Sequence, residues 1–284
     1  MDKHLNRRNF LKAVAGVATI GTASMFMPQA HALGPVLGTV IDYAANVPSA
    51  AAIKKAGHLG AVRYVSKRRP GTETWMLGKP VTLEETRSFA QQGMQTASVY
   101  QFGKAESADW KKGAAGAATH APQAIALHAA AGGPKNRPIY VAIDDNPTAA
   151  QYQNQIRPYL QAFKTALEAA GYQLGIYGNY NVIDWAIKDG LGEFFWMHNW
   201  GSNGKIHPRT TIHQIRIDKD EIEGIGIDLN NVYANDWGQW TPGSTSTPPV
   251  AGGNAGNTGN TGNTAPLNAD TINQVAKILG SLSS

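Results

Sequence analysis

The sequence predicts an α/β domain closed into a TIM-type barrel, but a degenerate one: about five strand–helix units, then three strands whose helices are missing. Three observations predict it. Residues 34–240 hold eight short strand candidates, helix-period segments separate the early ones, and after Lys188 the room for full helices disappears. Strand–helix alternation argues for a parallel sheet, and eight strands argue for its closure. An open doubly wound sheet is the alternative. Its nucleotide-binding version is disfavoured because no Gly-rich phosphate turn follows any strand.

The strand candidates are 39–43, 61–65, 96–101, 139–143, 174–177, 194–198, 211–215 and 226–229, and the helical patterns are 50–56, 83–92, 109–131, 149–170 and 181–188. The 149–170 segment shows its period most clearly. Tyr152, Ile156, Tyr159, Leu160, Phe163, Leu167 and Ala170 recur at steps of 3 and 4, and Gly171 stops the helix. Only about a dozen residues separate the sixth and seventh strands. They include Gly201, Gly204 and Pro208, so no full helix fits there.

Both ends differ in kind from this middle. In residues 1–32, Arg7 and Arg8 are followed by Phe10, Leu11 and Lys12, then by a Gly- and Ala-rich apolar run, then by Ala30-His31-Ala32. That is the pattern of a twin-arginine signal peptide, cleaved after Ala32 and read by the twin-arginine translocation machinery. The expected location is therefore periplasmic or extracellular. The apolar run is too short to span a bilayer comfortably, so no stable membrane span is expected after cleavage. Residues 33–240 form the barrel domain. Residues 241–268 are Gly-, Asn-, Thr- and Pro-rich and read as a linker. Residues 269–284 read as a short helix, with Ile272, Val275, Ala276, Ile278 and Leu279 on one stripe and Asp270 as N-cap.

Composition removes several function classes. The formal charge of +5 falls to +2 without residues 1–32, leaving 21 basic and 19 acidic residues. Nucleic-acid binding, which needs a strong cationic surface, loses its support. With no cysteine there is no disulfide framework, thiol nucleophile, iron–sulfur cluster or Cys-ligated zinc. His198, His207 and His213 match no metal-ligand spacing. Ser66 and Ser98 lack a nucleophile-elbow context. No metal and no cofactor is expected.

In a barrel of this kind the chemistry sits at the C-terminal ends of the strands. Those ends carry Asp42, the pair Asp144 and Asp145, and Asp228. Any one of them could be a helix cap or turn residue, Asp145 above all, since Asp-Asn-Pro precedes a helix. Three strands ending in a carboxylate form a constellation suited to acid–base work. Strand alternation puts Asp42, Asp144 and Asn146 on the inner face, and Asp145 on the outer face unless the strand ends early. The same ends carry Tyr64, Tyr100, Gln101, Tyr177, Tyr180, Trp196, Trp200 and Gln214. Aromatic faces stack on sugar rings, while carboxylates and amides bond their hydroxyls. The residues expected to bind substrate are Arg63, Gln101, Asn146, Tyr177, Trp196, Trp200 and Gln214. Trp185, on a helix, reads as core.

The ordered segments VIDYA, AVRYVS, IYVAIDDN, YQLGIYGNY, FFWMHNW, IHQIRID and IGIDLNN span roughly residues 38–240. They resemble a family of exported bacterial glycoside-hydrolase-like proteins related to the family 25 lysozymes, which cut peptidoglycan. The resemblance implies a barrel, a polysaccharide or peptidoglycan partner, and site roles for Asp42, Asp144 and Asp228. It also implies a departure: family 25 enzymes carry Asp-x-Glu on a central strand, and here the Glu position is Asn146. An amide cannot deliver the proton that the Glu supplies. Two readings follow. One is a glycosidase with Asp144 as stabiliser and Asp145 or Asp228 as acid. The other is a barrel that binds glycan without cleaving it, having lost its general acid.

Overall fold

The computed structural model describes residues 33–244 together with Asn273 and Lys277, which are helical and exposed. The expected signal segment 1–32 lies outside the described residues. So do the expected linker and terminal helix, apart from residues 241–244 and those two positions.

Eight strands close into one barrel in sequence order. They are β1 (Gly38–Asp42), β2 (Gly60–Tyr64), β3 (Gln95–Tyr100), β4 (Pro138–Ala142), β5 (Gln173–Gly178), β6 (Phe194–His198), β7 (Ile212–Ile222) and β8 (Ile225–Val232). The helices are α1 (Ala50–Lys55), α2 (Leu83–Gln91), α3 (Gly113–Ala130), α4 (Ala149–Gln151), α5 (Arg157–Ala169) and α6 (Tyr180–Lys188). Helices therefore follow the first five strands and are absent after the sixth, as the spacing predicts. The 149–170 pattern is one helical run containing a π turn over Tyr152–Ile156. Pro158 supplies no N–H at the point where the helix would bond back to residue 154, and the ladder slips there.

One feature of the closure differs from a parallel barrel. Strands β1 to β7 pair parallel, but β8 is antiparallel to both β7 and β1. The cause is local: β7 and β8 are joined by the tight turn Glu223-Gly224, both residues at positive φ, which is the backbone of a two-residue hairpin. No helix intervenes to bring the chain back to the bottom of the barrel. A residue early in β8 therefore lies at the rim where the parallel strands end. The hairpin tip is pinned by Glu223, whose carboxylate accepts from the N–H and hydroxyl of Ser49, the N-cap of α1.

The barrel interior is filled by Val40, Val62, Ala97, Val99, Tyr140, Trp196, Ile212 and Val232, with Trp237 entering from below. Gly175 on β5 has no side chain because the Tyr140 ring fills that space; a Cβ there would lie 2.7 Å from the ring. Residues outside the strands pack against α3, α5 and α6 on one side and against α1 and α2 on the other. The lower end is sealed by the segment after β8. Trp240 exchanges backbone hydrogen bonds with Thr96 and donates its indole N–H to Ser98 at 3.1 Å. Ser98 also pairs with His128 at 2.8 Å, and all three side chains are buried. Burial pushes the imidazole of His128 down to about 4. That Ser–His contact is part of the seal and meets no solvent. The upper end stays open.

Candidate active site

At the open end lies a cavity of about 510 Å³, within the usual range of small-ligand sites. Its wall includes Asp42, Asp144, Asp145 and Asp228, brought from β1, the β4 exit and β8. Gln101, Tyr177, Trp196, Trp200 and Gln214 line it as well.

Register explains the carboxylates. Asp42 and Asp228 are direct partners in the β1–β8 ladder. Like charges directly opposite each other are unfavourable on a sheet face, so something must hold them. One Gln214 amide nitrogen donates to Asp42 at 3.2 Å and to Asp228 at 3.1 Å. The two acceptor oxygens are thus no farther apart than those two bonds laid end to end, which is below the ~6.5–9.5 Å spacing of inverting glycosidases. The Tyr177 hydroxyl donates to the Gln214 carbonyl at 2.7 Å and so fixes which end of the amide faces the acids. Asn230 repeats the arrangement. It donates to Asp42 at 2.8 Å, and its own oxygen accepts from the Trp196 indole at 2.7 Å.

Burial disfavours the ionised form of Asp42, and the neighbouring Asp228 adds to this; together they push its carboxyl up to about 8 against the opposing amide bonds. Asp228, half-buried, is raised to about 6, first by burial and then by Asp218 and Asp144, while the N–H of Asp218 at 2.8 Å pulls the other way. That N–H points at Asp228 because β7 bulges: its register shifts between Arg216 and Asp220, and Asp218 adopts φ +53°. The pair can therefore keep a proton near neutral pH.

Asp144 sits across from this pair, accepting from the Gln101 amide at 3.1 Å and lying 3.8 Å from the Lys104 ammonium. Asp145 does reach the cavity, because β4 ends at Ala142 and the alternation that would turn it outward has lapsed. Its carboxyl accepts from the Trp110 indole at 2.8 Å and is raised by burial and by Asp144.

Two expected binding residues do not line the cavity. Arg63 alternates with Tyr64 on β2; Tyr64 faces inward, so Arg63 faces outward. Its guanidinium is fully buried there, bonded to Glu85 and to the carbonyls of Tyr43 and Gly78. Asn146 also points elsewhere: its oxygen accepts from Asn179 at 2.7 Å, and Asn179 caps α6 through Val182. The irregular chain after β4 breaks the alternation that would have turned Asn146 inward beside Asp144.

Several wall residues escaped the sequence reading: Lys79, Arg69, Lys104, Trp75 and Asp218. Lys79 and its neighbours come from the loop between β2 and α2, which carries no periodic signal. Trp75 and Trp200 are among the exposed large hydrophobic side chains, Trp200 stacking on His198 with centroids 4.2 Å apart. Trp196 and Tyr177 are buried and act mainly on Asn230 and Gln214. Trp185 packs against the core, as its helical position predicts. Among the described residues no group of His, Asp and Glu is arranged to hold a metal ion, and no helix is long and apolar enough to cross a membrane.

Comparison with known proteins adds three findings. The model of the Rv2525c-like, glycoside hydrolase-like domain matches residues 51–232. A Mycobacterium tuberculosis relative, named "Putative peptidoglycan hydrolase Rv2525c", is 47% identical over 241 residues, covering 83% of this chain and 99% of the relative. The crystal structure of the Mycobacterium tuberculosis Tat-secreted protein Rv2525c in complex with L-tartrate matches with a TM-score of 0.69 and 48% identity, covering 72% of this chain and all of that one. A second crystal form, in complex with HEPES, matches with a TM-score of 0.68 and 47% identity, over 72% of this chain and 99% of that one.

Proposed function

The chain belongs to the Rv2525c-like family of glycoside-hydrolase-like domains, and from that premise we propose that it hydrolyses glycosidic bonds of peptidoglycan in the cavity at the open end of its barrel. The observation that carries this reading is the Asp42–Asp228 pair, two carboxyls opposed across the β1–β8 ladder and bridged by one Gln214 amide, where burial favours the protonated form. Asp228 is the half-exposed member and the proton donor to the leaving oxygen. Asp42, sealed below it, positions and tunes that donor through Gln214. Asp144, facing an amide and an ammonium, stabilises positive charge developing at the sugar. Trp75 and Trp200 offer exposed faces on which sugar rings stack. Export through the twin-arginine route, directed by residues 1–32, fits a cell-wall substrate and the secreted relative.

Reducing-end release from purified peptidoglycan tests the reading. Wild type should exceed background, Asp228→Asn should fall about 10²–10⁴-fold, as expected when a general acid is lost, and Asp144→Asn should fall as well. A larger loss in Asp145→Asn than in Asp228→Asn would move the acid to Asp145. Release at background from wild type and variants alike would sink catalysis. One observation favours a binding barrel in that case: Asn146, where family 25 carries its acid, is spent on the cap of α6. Retention of the inactive protein on insoluble peptidoglycan would then identify a binder.

A further inference from the structure

The cavity wall carries cations as well as carboxylates: Arg69, Lys79 and Lys104 line it together with the four aspartates. Only Lys104 is paired, with Asp144. Arg69, partly buried, accepts from Thr72 through its carbonyl, at 2.8 Å from the hydroxyl, but its guanidinium has no hydrogen bond or ion pair to any described residue. Lys79 is stranger. It is 3% exposed, yet its ammonium, with three donors to satisfy, makes one hydrogen bond, to the Gln101 carbonyl at 3.1 Å. Beyond that it rests over the Tyr64 ring, 3.8 Å from the centroid. A buried ammonium short of acceptors and open to a cavity is costly unless something fills its remaining valences.

The loop carrying Arg69 and Lys79 is built, not loose. Arg68 ties it together from inside, its guanidinium donating to the carbonyls of Met76 and Lys79 at 2.9 Å and of Leu77 at 3.2 Å. Gly78 is bonded through its carbonyl to Arg63 at 2.6 Å. The position of Lys79 is therefore set by the protein before any ligand arrives, which lowers the ordering cost of binding.

Resting on the glycan-binding reading above, we propose that Arg69 and Lys79 in the cavity wall receive a free carboxylate carried by the sugar seated beside the aspartates, so that the preferred glycan is an acidic one. Two sugar carboxylates have this chemistry: the ether-linked lactyl group of muramic acid when no peptide is attached, and the ring carboxylate of a uronic acid. The neighbours of Lys79 agree with the need for an anion. Burial, Arg69 and Arg63 pull its ammonium down to about 7, opposed by Asp109 and Asp144, with Tyr64 below it. An incoming carboxylate restores the charged form and is held by it, so binding takes up a proton at mildly alkaline pH.

NMR titration of the full chain tests this with N-acetylmuramic acid, its neutral methyl amide, glucuronic acid and N-acetylglucosamine. At pH 6 the muramic acid should bind about 10-fold more tightly than its amide, the worth of one charge-assisted contact. That preference should shrink as pH rises past 8. Lys79→Met and Arg69→Gln should each remove most of it while leaving N-acetylglucosamine binding unchanged. Glucuronic acid binding more tightly than muramic acid would assign the ring carboxylate as the natural group. Equal binding of acid and amide by wild type overturns the inference and leaves the glycan reading standing. Binding of none of the four sugars removes both. Should Lys79→Met fail to fold, the wild-type pH series and Arg69→Gln, on the partly exposed wall, still decide.

Discussion

Strands β1 and β2 bury a charged cluster on each face, and the two faces treat it in opposite ways. On the outer face, the Arg63 guanidinium meets Glu85 at 2.5 Å, lies 3.6 Å over the Tyr43 ring and fills its other donors with backbone carbonyls. Glu85 also accepts from the Tyr43 hydroxyl at 2.7 Å. Charge is balanced and the polar groups are met. On the inner face, Asp42 faces Asp228 with only neutral amides to hold them. One cluster closes its electrostatics and serves stability. The other leaves a carboxyl that prefers its proton and serves chemistry, at the cost of pairing like groups across a ladder.

The largest test breaks the outer cluster. Arg63→Met should cost about 3–5 kcal/mol in urea denaturation, because Glu85 is then buried without its partner; the double variant Arg63→Met, Glu85→Gln should recover part of that. A loss below about 1 kcal/mol would contradict the contrast. The inner cluster should respond to pH instead. A carboxyl whose folded pKa lies above its unfolded value adds stability at low pH that is lost as pH climbs towards the folded value. With Asp42 raised to about 8 against ~3.9 for a free aspartate, wild-type stability should decline by about 2 kcal/mol from pH 6 to 8. Asp42→Asn should flatten that decline, and an unchanged slope would show that Asp42 is not the proton holder. The smallest effect falls outside both clusters: Trp200→Ala should weaken retention on peptidoglycan by about 0.5–1.5 kcal/mol, the scale of one aromatic contact, with the urea midpoint unmoved.

The two faces also differ in how visible they were beforehand. Asp42, Asp144, Asp145 and Asp228 stood out because each follows an apolar run, and the cavity contains all four. For Asp228 the parallel-sheet expectation puts the carboxylate at a strand's end, whereas β8 runs the other way and Asp228 lies inside it. The rim position is the same because the hairpin reverses direction. Arg63 shows the converse: Tyr64 on the inner face already required its neighbour to turn outward, and the alternation was there to be used. Lys79 had no such signal. A loop residue approaches a cavity only through the bonds that fold the loop, here those of Arg68.

By itself the chain of residues determined the eight strands, the helices between the first five and the approximate rim, because burial periodicity and the small space after Lys188 are local properties of the polymer. The three-dimensional closure decided the rest. It set the antiparallel β8, the facing of Asp42 with Asp228, the bulge that turns the Asp218 N–H towards the acid, and the burial that lifts two carboxyls. Those features depend on which strand edges meet and on how much water is left between them, and neither quantity is written in any short stretch of sequence.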